Sequence, residues 1–362
     1  MRFDYDLLMV AASPIALDIA YRYARLGRIG VVVPPPSPQW DWQWQCWWLS
    51  LHPPPVLDAA SWQQFQAMVR QGQRRYAPRV LDLAGVDVIR GNGKFVWQPQ
   101  CHFQLEQDQL YARRYLLVDA PPALLPPQKR LEGTGLEIAE VLAWCRWSGE
   151  GQPQEWLLPE KCLVPSEDPW FNDRLQGALE AMGIRVQVHT GQPATRLPPT
   201  LRDLNLDPLR TDGQGWLRLD RYGGTSHPQV YACGGWQKGY TLPALTAAEG
   251  GAIARNLLLG NAQPLVYRHQ PWWLPIPTPL ARVGWNRRQA QRQWGSAVQV
   301  QTIYSLAEDS SWGEMIMDAK GALLGVNLHG AAAIATSRIF GLCLQQGLSA
   351  LASLEYAGWH FG

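Results

Sequence analysis

The chain has 362 residues, 46% of them hydrophobic and 17% charged, with a formal net charge of +2. That balance is too apolar for a disordered segment and long enough for two or three packed domains. A near-neutral charge without a dense Lys/Arg block gives no electrostatic ground for nucleic-acid binding, and no apolar run reaches the roughly 18 residues of a membrane span, the best candidate, around Leu328 to Leu354, being broken by Arg338, Gln345 and Gln346.

The first elements read as a unit. DYDLLMV (4–10) is a short apolar run, followed by Ala16, Ile19, Ala20, Tyr23 and Ala24 at helical spacing and by IGVVV (29–33) ending in Pro34. Strand, helix and parallel strand in this order open a doubly wound nucleotide-binding fold whose first turn carries the phosphate loop. Residues 34–55, dense in Pro and Trp and without a period, are expected to form a loop. Trp62, Phe65, Met68 and Val69 then share a helix face opposite Gln64, Arg70 and Arg74. From Val86 to Val118 the pattern alternates as strands do, with GNGK (91–94) predicting a tight hairpin. Residues 121–160 look like a connection with one helix around Leu136 to Trp144. DRLQGALEAMGIRVQVHT (173–190) predicts a helix and a strand, GWLRLD (215–220) and QVYACGG (229–235) further strands, and Leu242 to Leu259 a helix. Beyond Pro271 to Pro279, VQVQTIYS (298–305), a hairpin at Ala319 to Gly321 and two helical stretches make an α+β unit.

The cysteines Cys46, Cys101, Cys145, Cys162, Cys233 and Cys343 form no C-x-x-C pair, no His or Cys pair has metal-ligand spacing, and MRFDYDLLMV lacks the layout of a signal peptide. A metal-free protein of the reducing cytoplasm is expected. The 19 tryptophans are concentrated in WDWQWQCWW (40–48), where Trp40, Trp42 and Trp44 would point to one side of an extended segment.

The order of these segments resembles the class I pyridine nucleotide-disulfide oxidoreductases, the flavoenzyme family of glutathione reductase, dihydrolipoamide dehydrogenase and mercuric reductase. DYDLLMVAASPIALDIAYRYARLGRIGVVV is similar to the family's FAD-binding strand-loop-helix, and VIRGNGKFV and RRYLLVDAPPALLPP to the segments leading back to that sheet. VPSEDPWFNDRLQGALEAMGIRV is similar to the later part of the NAD(P) domain, and TSHPQVYACGGW with TLPALTAAEGGAIARNLL to the second flavin motif and its helix. PTPLARVGWNRRQA and KGALLGVNLHG are similar to the dimerisation domain. The resemblance implies an α/β fold with a doubly wound FAD-binding-like domain in two parts (1–130 and 201–270), a truncated NAD(P)-domain remnant (131–200) and an α+β dimerisation domain (271–362).

The departures from the family's pattern fall on its chemistry. Ala11, Ser13 and Ala16 stand at the three glycines of G-x-G-x-x-G, which let the pyrophosphate approach the backbone. Pro34 stands at the acidic residue for the adenosine ribose, and Gly235, after Gly234, at the aspartate of the second flavin motif. In CWWLSLHPPP (46–55) Cys46 matches the first redox cysteine, but Leu51 matches the second and Pro55 the following lysine, and a dithiol needs two sulfurs. LPEKCLV (158–164) runs directly into PSEDP without the second glycine-rich loop, so no helix start remains for the nicotinamide cofactor. His360, in the terminal AGWHFG, lacks the proline and glutamate of the family's acid-base pair. Arg287, Arg288 and Arg292 read as a solvated helix face.

These departures predict a non-catalytic interaction or assembly protein, with a second protein as partner and with Ala11, Ser13, Ala16, Gly234 and Gly235 as a vestigial or weak FAD site, and the resemblance of the C-terminal domain implies a homodimer. Trp40, Trp42, Trp44, Trp47 and Trp48 either fill the volume of a lost flavin ring or form a surface for a ligand or partner. Two alternatives remain: a flavoprotein that keeps FAD by altered contacts and takes electrons from a protein donor, and a carrier or sensor of a flat hydrophobic molecule.

Overall fold

A computed structural model describes residues 3–51, 59–119, 130–132, 155–158, 162–188, 202–239, 241–274, 276, 278–306 and 310–362. The helix expected around Leu136 to Trp144 and the position of Pro55 lie outside these residues. The chain divides into two compact units, one of Met1–His52, Ala60–Leu125 and Leu197–Leu265, the other of Pro53–Ala59, Pro126–Arg196 and Val266–Gly362.

In the first unit the chain runs through β1 (Tyr5–Ala11), α1 (Ile15–Tyr23), β2 (Ile29–Val33), α2 (Pro38–Leu51), α3 (Ala59–Arg75), β3 (Val86–Arg90), β4 (Gly93–Val96), β5 (His102–Leu105), β6 (Asp108–Leu110) and β7 (Ala112–Val118). β8 (Arg130–Glu132), β9 (Glu155–Leu158) and β10 (Arg185–Val188) belong to the second unit, and the first resumes with β11 (Val230–Cys233) and a helix over Pro243–Leu259. The central sheet has the order β11-β7-β1-β2-β3, with every pairing parallel. Strands covered on both faces need unbroken apolar sequence. IGVVV provides it, with all five residues buried. The 243–259 helix packs on α1 through Gly250, where a Cβ would stand 2.6 Å from Ile19 Cδ1 and 3.1 Å from Cys233 Sγ, so a larger residue would have to push the Ile19 side chain aside.

Four expectations need correction here. Residues 38–51 are not a loop but the helix α2. Pro38 sits at its first position, where the missing N–H costs nothing, and the Ser37 hydroxyl accepts the Trp40 N–H at 3.1 Å as an N-terminal cap. The helix shows no amphipathic period because it is buried round most of its circumference. GNGK does not close a hairpin: β3 pairs in parallel with β2, whereas β4 pairs with β5 in a separate antiparallel sheet of order β4-β5-β6. GWLRLD is no strand but a bridge at Leu217 between two turns. In these turns Asp212 accepts the N–H groups of Gln214 and Trp216, and Asp220 those of Tyr222 and Gly224. Met68 is 40% exposed, off the buried face that holds Phe65 and Val69.

The second unit contains a parallel sheet of order β10-β9-β8, with a helix over Pro169–Ala181 between β9 and β10 in sequence. Its larger sheet comprises β12 (Trp272–Leu274), β13 (Leu280–Gly284), β14 (Gln299–Ser305), β15 (Trp312–Met317), β16 (Leu323–His329) and β17 (Trp359–Phe361), in the antiparallel order β12-β13-β16-β15-β14-β17. The hairpin expected at Ala319 to Gly321 joins β15 to β16, with the Asp318 carboxylate accepting the N–H groups of Lys320 and Ala322. Helices over Ala333–Gln346 and Ala350–Ala357 precede β17.

Candidate functional site

The C-terminal ends of β1, β7 and β11 bring the expected nucleotide-site residues into one unit. Ala11, Ser13 and Ala16 are all buried. The loop's backbone is largely engaged by the protein: Ala12 N–H donates to the Val118 carbonyl at 3.1 Å, Ala16 N–H to that of Ser13 at 3.4 Å and Leu17 N–H to that of Pro14 at 3.0 Å. Pro14, at the start of α1, has no N–H to give. The Ser13 hydroxyl, 3% exposed, has no hydrogen-bond partner among the described residues. Pro34 follows directly on β2, so the ribose-binding carboxylate implied by the resemblance has no counterpart at that strand end.

Beside this loop the turn after β11 is held by two carboxylates that sequence reasoning missed. Gly234 N–H donates to Glu249 Oε2 at 2.8 Å, Gly235 N–H to Asp119 Oδ1 at 3.1 Å, and Gln237 Nε2 to Glu249 Oε1 at 3.3 Å. Asp119 reaches this position from a left-handed backbone conformation, φ 62°, at the end of β7, its own N–H donating to the Cys233 carbonyl. Gly234, φ 67°, is hemmed in: a Cβ there would stand 2.7 Å from Thr246 Oγ1 and 3.1 Å from Asp119 Oδ1. Burial pushes the Glu249 carboxyl up to about 7; the Gly234 N–H opposes that shift and the Asp119 charge adds to it. Burial also pushes the Cys233 thiol well above its ordinary range, so it is not a nucleophile at neutral pH. The Gly234 and Gly235 N–H groups are thus engaged by the protein's own carboxylates.

The tryptophans lie along α2, where Trp40, Trp44 and Trp47 recur at helical spacing and are buried, while Trp42 and Trp48 are half-buried. The side shared by 40, 42 and 44 in an extended chain therefore does not exist. Trp44 and Trp47 pack together with ring centroids 5.3 Å apart and stand 5.7 and 5.6 Å from Tyr76, and Trp47 meets Trp48 edge-on at 5.8 Å. Tyr76 donates its hydroxyl proton to buried Asp18 at 2.8 Å, and Asp18 pairs with Arg22. Indoles and ring contacts thus belong to the core of the first unit. Cys46, buried on the same helix, forms no disulfide among the described residues, and Leu51 stands five residues on.

In the second unit the residues following β9 turn to a different task. Buried Glu167 pairs with Arg282 of β13 at 2.9 Å, and buried Asp168 accepts the backbone N–H groups of Arg287 and Arg288 at 2.6 and 3.1 Å. The helix over Arg287–Trp294 thereby gains a cap beyond its own Asn286–Gln289 capping box. The side chains of Arg287, Arg288 and Arg292 are exposed, as is His360 on β17 opposite Tyr304.

A parallel sheet with its helices, followed in sequence by an antiparallel sheet, is the α/β arrangement of flavoprotein disulfide reductases. Two solved structures of the HOCl-induced flavoprotein disulfide reductase RclA from Escherichia coli, a Cu(II) complex and the Cu(II) complex of a cysteine-to-serine mutant, superpose with a TM-score of 0.70. They share 15% and 16% identity with this chain and cover 96% of it and 94% of their own. In sequence the chain is 25% identical over 166 residues to the chloroplastic/mitochondrial glutathione reductase of Pisum sativum, a match spanning 43% of this chain and 30% of the pea enzyme. No family model matches. The chain is a relative of the class I pyridine nucleotide-disulfide oxidoreductases in sequence and fold.

Proposed function

We propose that this chain is a non-catalytic, homodimeric relative of the flavin disulfide oxidoreductases that serves as an interaction or assembly protein and holds FAD weakly or not at all. The observation that carries this reading is the pair of positions on α2, where Cys46 is followed by Leu51 in place of a second sulfur. With one cysteine a mixed disulfide cannot be resolved into an intramolecular disulfide, so the dithiol cycle does not close. Support comes from the phosphate loop, where the Ala12 N–H donates to the Val118 carbonyl, and from Glu167 and Asp168, which brace the C-terminal sheet and its helix. The experiment is NADPH oxidation with a disulfide substrate, read beside the visible spectrum of the purified protein. No turnover and no flavin band are expected, and turnover with either nicotinamide cofactor would overturn the reading.

A second reading, a flavoprotein that keeps FAD through altered contacts, draws on Ser13, whose buried hydroxyl lacks a protein partner among the described residues and could meet a ligand oxygen. Stoichiometric FAD released on denaturation would establish it.

A further inference from the structure

We propose that Glu249 and Asp119 act as a built-in ligand, occupying the two backbone N–H donors of Gly234 and Gly235 and so denying them to a phosphorylated flavin. This deepens the reading just given and rests on it: there FAD is held weakly because contacts were lost, here because two carboxylates occupy the donors.

The geometry is reciprocal. Consecutive N–H groups in the turn after β11 are each taken by a carboxylate from a different element, Asp119 from the end of β7 and Glu249 from the 243–259 helix. Backbone N–H groups at such a turn attract anions, and an internal carboxylate meets that demand without a bound molecule. The second Glu249 oxygen accepts from Gln237, which fixes the side chain rather than leaving it to swing aside. Thr246 and Asp119 close on the Gly234 α-carbon, leaving no room there even for a methyl group. A flavin bearing phosphates would have to displace these carboxylates and bring its own negative charge close to theirs. Like charges at short range in a desolvated site form a strong barrier.

The charge on Glu249 depends on pH. Burial raises its carboxyl to about 7. The charged or titratable groups facing it are Asp119, from the end of β7, and the Cys233 thiol, from β11; the Gly234 and Gln237 donors are neutral. Between pH 8.5 and 5.5 the closing charge on Glu249 is progressively lost.

The experiment titrates the full chain with FAD, and with uncharged riboflavin as a control, following tryptophan quenching at pH 5.5 and 8.5. The proteins are the wild type, Glu249→Ala, Glu249→Gln and Asp119→Ala. Alanine suits a helix interior and opens the Gly234 donor; glutamine removes charge but keeps the donor occupied. The expected result is at least tenfold tighter FAD binding by Glu249→Ala than by wild type, a smaller gain for Glu249→Gln, and little change for riboflavin. Wild type should bind FAD several-fold more tightly at pH 5.5 than at pH 8.5, a difference that Glu249→Gln abolishes. The proposal is overturned if Glu249→Ala and Asp119→Ala, with wild-type near-ultraviolet circular dichroism, bind FAD no better than wild type. Should the alanine variants not fold, Glu249→Gln and the wild-type pH pair decide, and equal affinities throughout overturn it. Wild type that binds FAD tightly at pH 8.5 removes both this proposal and the cofactor-poor reading, whereas weak binding unchanged by every variant removes this proposal alone.

Discussion

Glu167, fully buried, holds Arg282 at 2.9 Å, and the Arg282 guanidinium lies 5.2 Å from the centre of the Trp272 ring. Desolvation makes such a pair a poor source of net stability, but removing one partner strands the other as a buried charge. Glu167→Ala is expected to destabilise the second unit by about 3–5 kcal/mol. The double variant Glu167→Leu/Arg282→Met, with both charges gone, should recover most of the loss. Denaturant unfolding of the two variants checks this, and a double variant as weak as the single one would count against it.

Glu249 makes stability depend on pH. Its folded-state pKa is raised from the ordinary carboxylate range to about 7, so the folded state holds a proton that the unfolded chain releases. Its contribution is therefore complete below about pH 4.5 and lost as pH rises to about 7. Glu249→Gln, neutral at every pH, should melt higher than wild type at pH 8, and the gap should close at pH 5. Thermal melts at the two pH values test this, and parallel curves would show that Glu249 is not the titrating group.

What the sequence made legible, and what it hid, follows from how local each signal is. YDLLMV and IGVVV could be read because the strands are buried on both faces, leaving unbroken apolar runs. α2 was hidden because Trp40, Gln43, Trp44, Cys46, Trp47, Leu49 and Ser50 are buried round several faces, which erases the period; the Ser37-Pro38 start was the signal available. The split between β3 and β4 was hidden because a turn sequence cannot say whether VDVIR has a better partner elsewhere, and here β2 is that partner. Glu249 reads as a surface residue, and only its position among Ala and Gly in TAAEGGAIA, a small-residue face fit to pack on a sheet, hinted that it points inward.

Packing of α2 on α3 hinges on Gly72. A Cβ there would run into the far edge of the Trp48 ring, and that indole is braced edge-on by Trp47. On helix propensity alone Gly72→Ala would gain about 1 kcal/mol. Overpacking costs about 1–3 kcal/mol, so the variant should be less stable than wild type, and Gly72→Ala/Trp48→Leu should be more stable than Trp48→Leu by about the propensity gain. Thermal midpoints of wild type and the three variants test the sign reversal, and a stabilised Gly72→Ala would show that the Trp48 ring moves aside freely.

Restoring the second sulfur alone should not restore chemistry. In Leu51→Cys the thiol pair would be complete, yet the segment after β9 still braces β13 with Glu167 and caps the 287–294 helix with Asp168, and hydride delivery and dithiol exchange act in series. The expected outcome is no NADPH-dependent disulfide reduction in wild type or variant. Activity gained by Leu51→Cys would mean that a nicotinamide site survives.

On the 333–346 helix Ile339 and Leu342 stand one turn apart, 36% and 62% exposed, and on the following helix Leu351 and Tyr356 are 60% and 73% exposed. Ile334 and Leu344 are half-buried beside them in sequence. Exposed large apolar side chains gathered on adjacent helices are costly in water and mark a surface that meets a partner. A second copy of the same face gives closed two-fold pairing, and a permanent interface of this kind buries more than about 2,000 Å². Light scattering should therefore give twice the 40.7 kDa chain mass at micromolar concentration. Leu342→Glu/Leu351→Glu should halve that mass without altering the circular dichroism, because both side chains already lie outside the core. A wild-type mass of one chain at every concentration would reject the dimer, and a variant that stays dimeric would move the interface away from these helices.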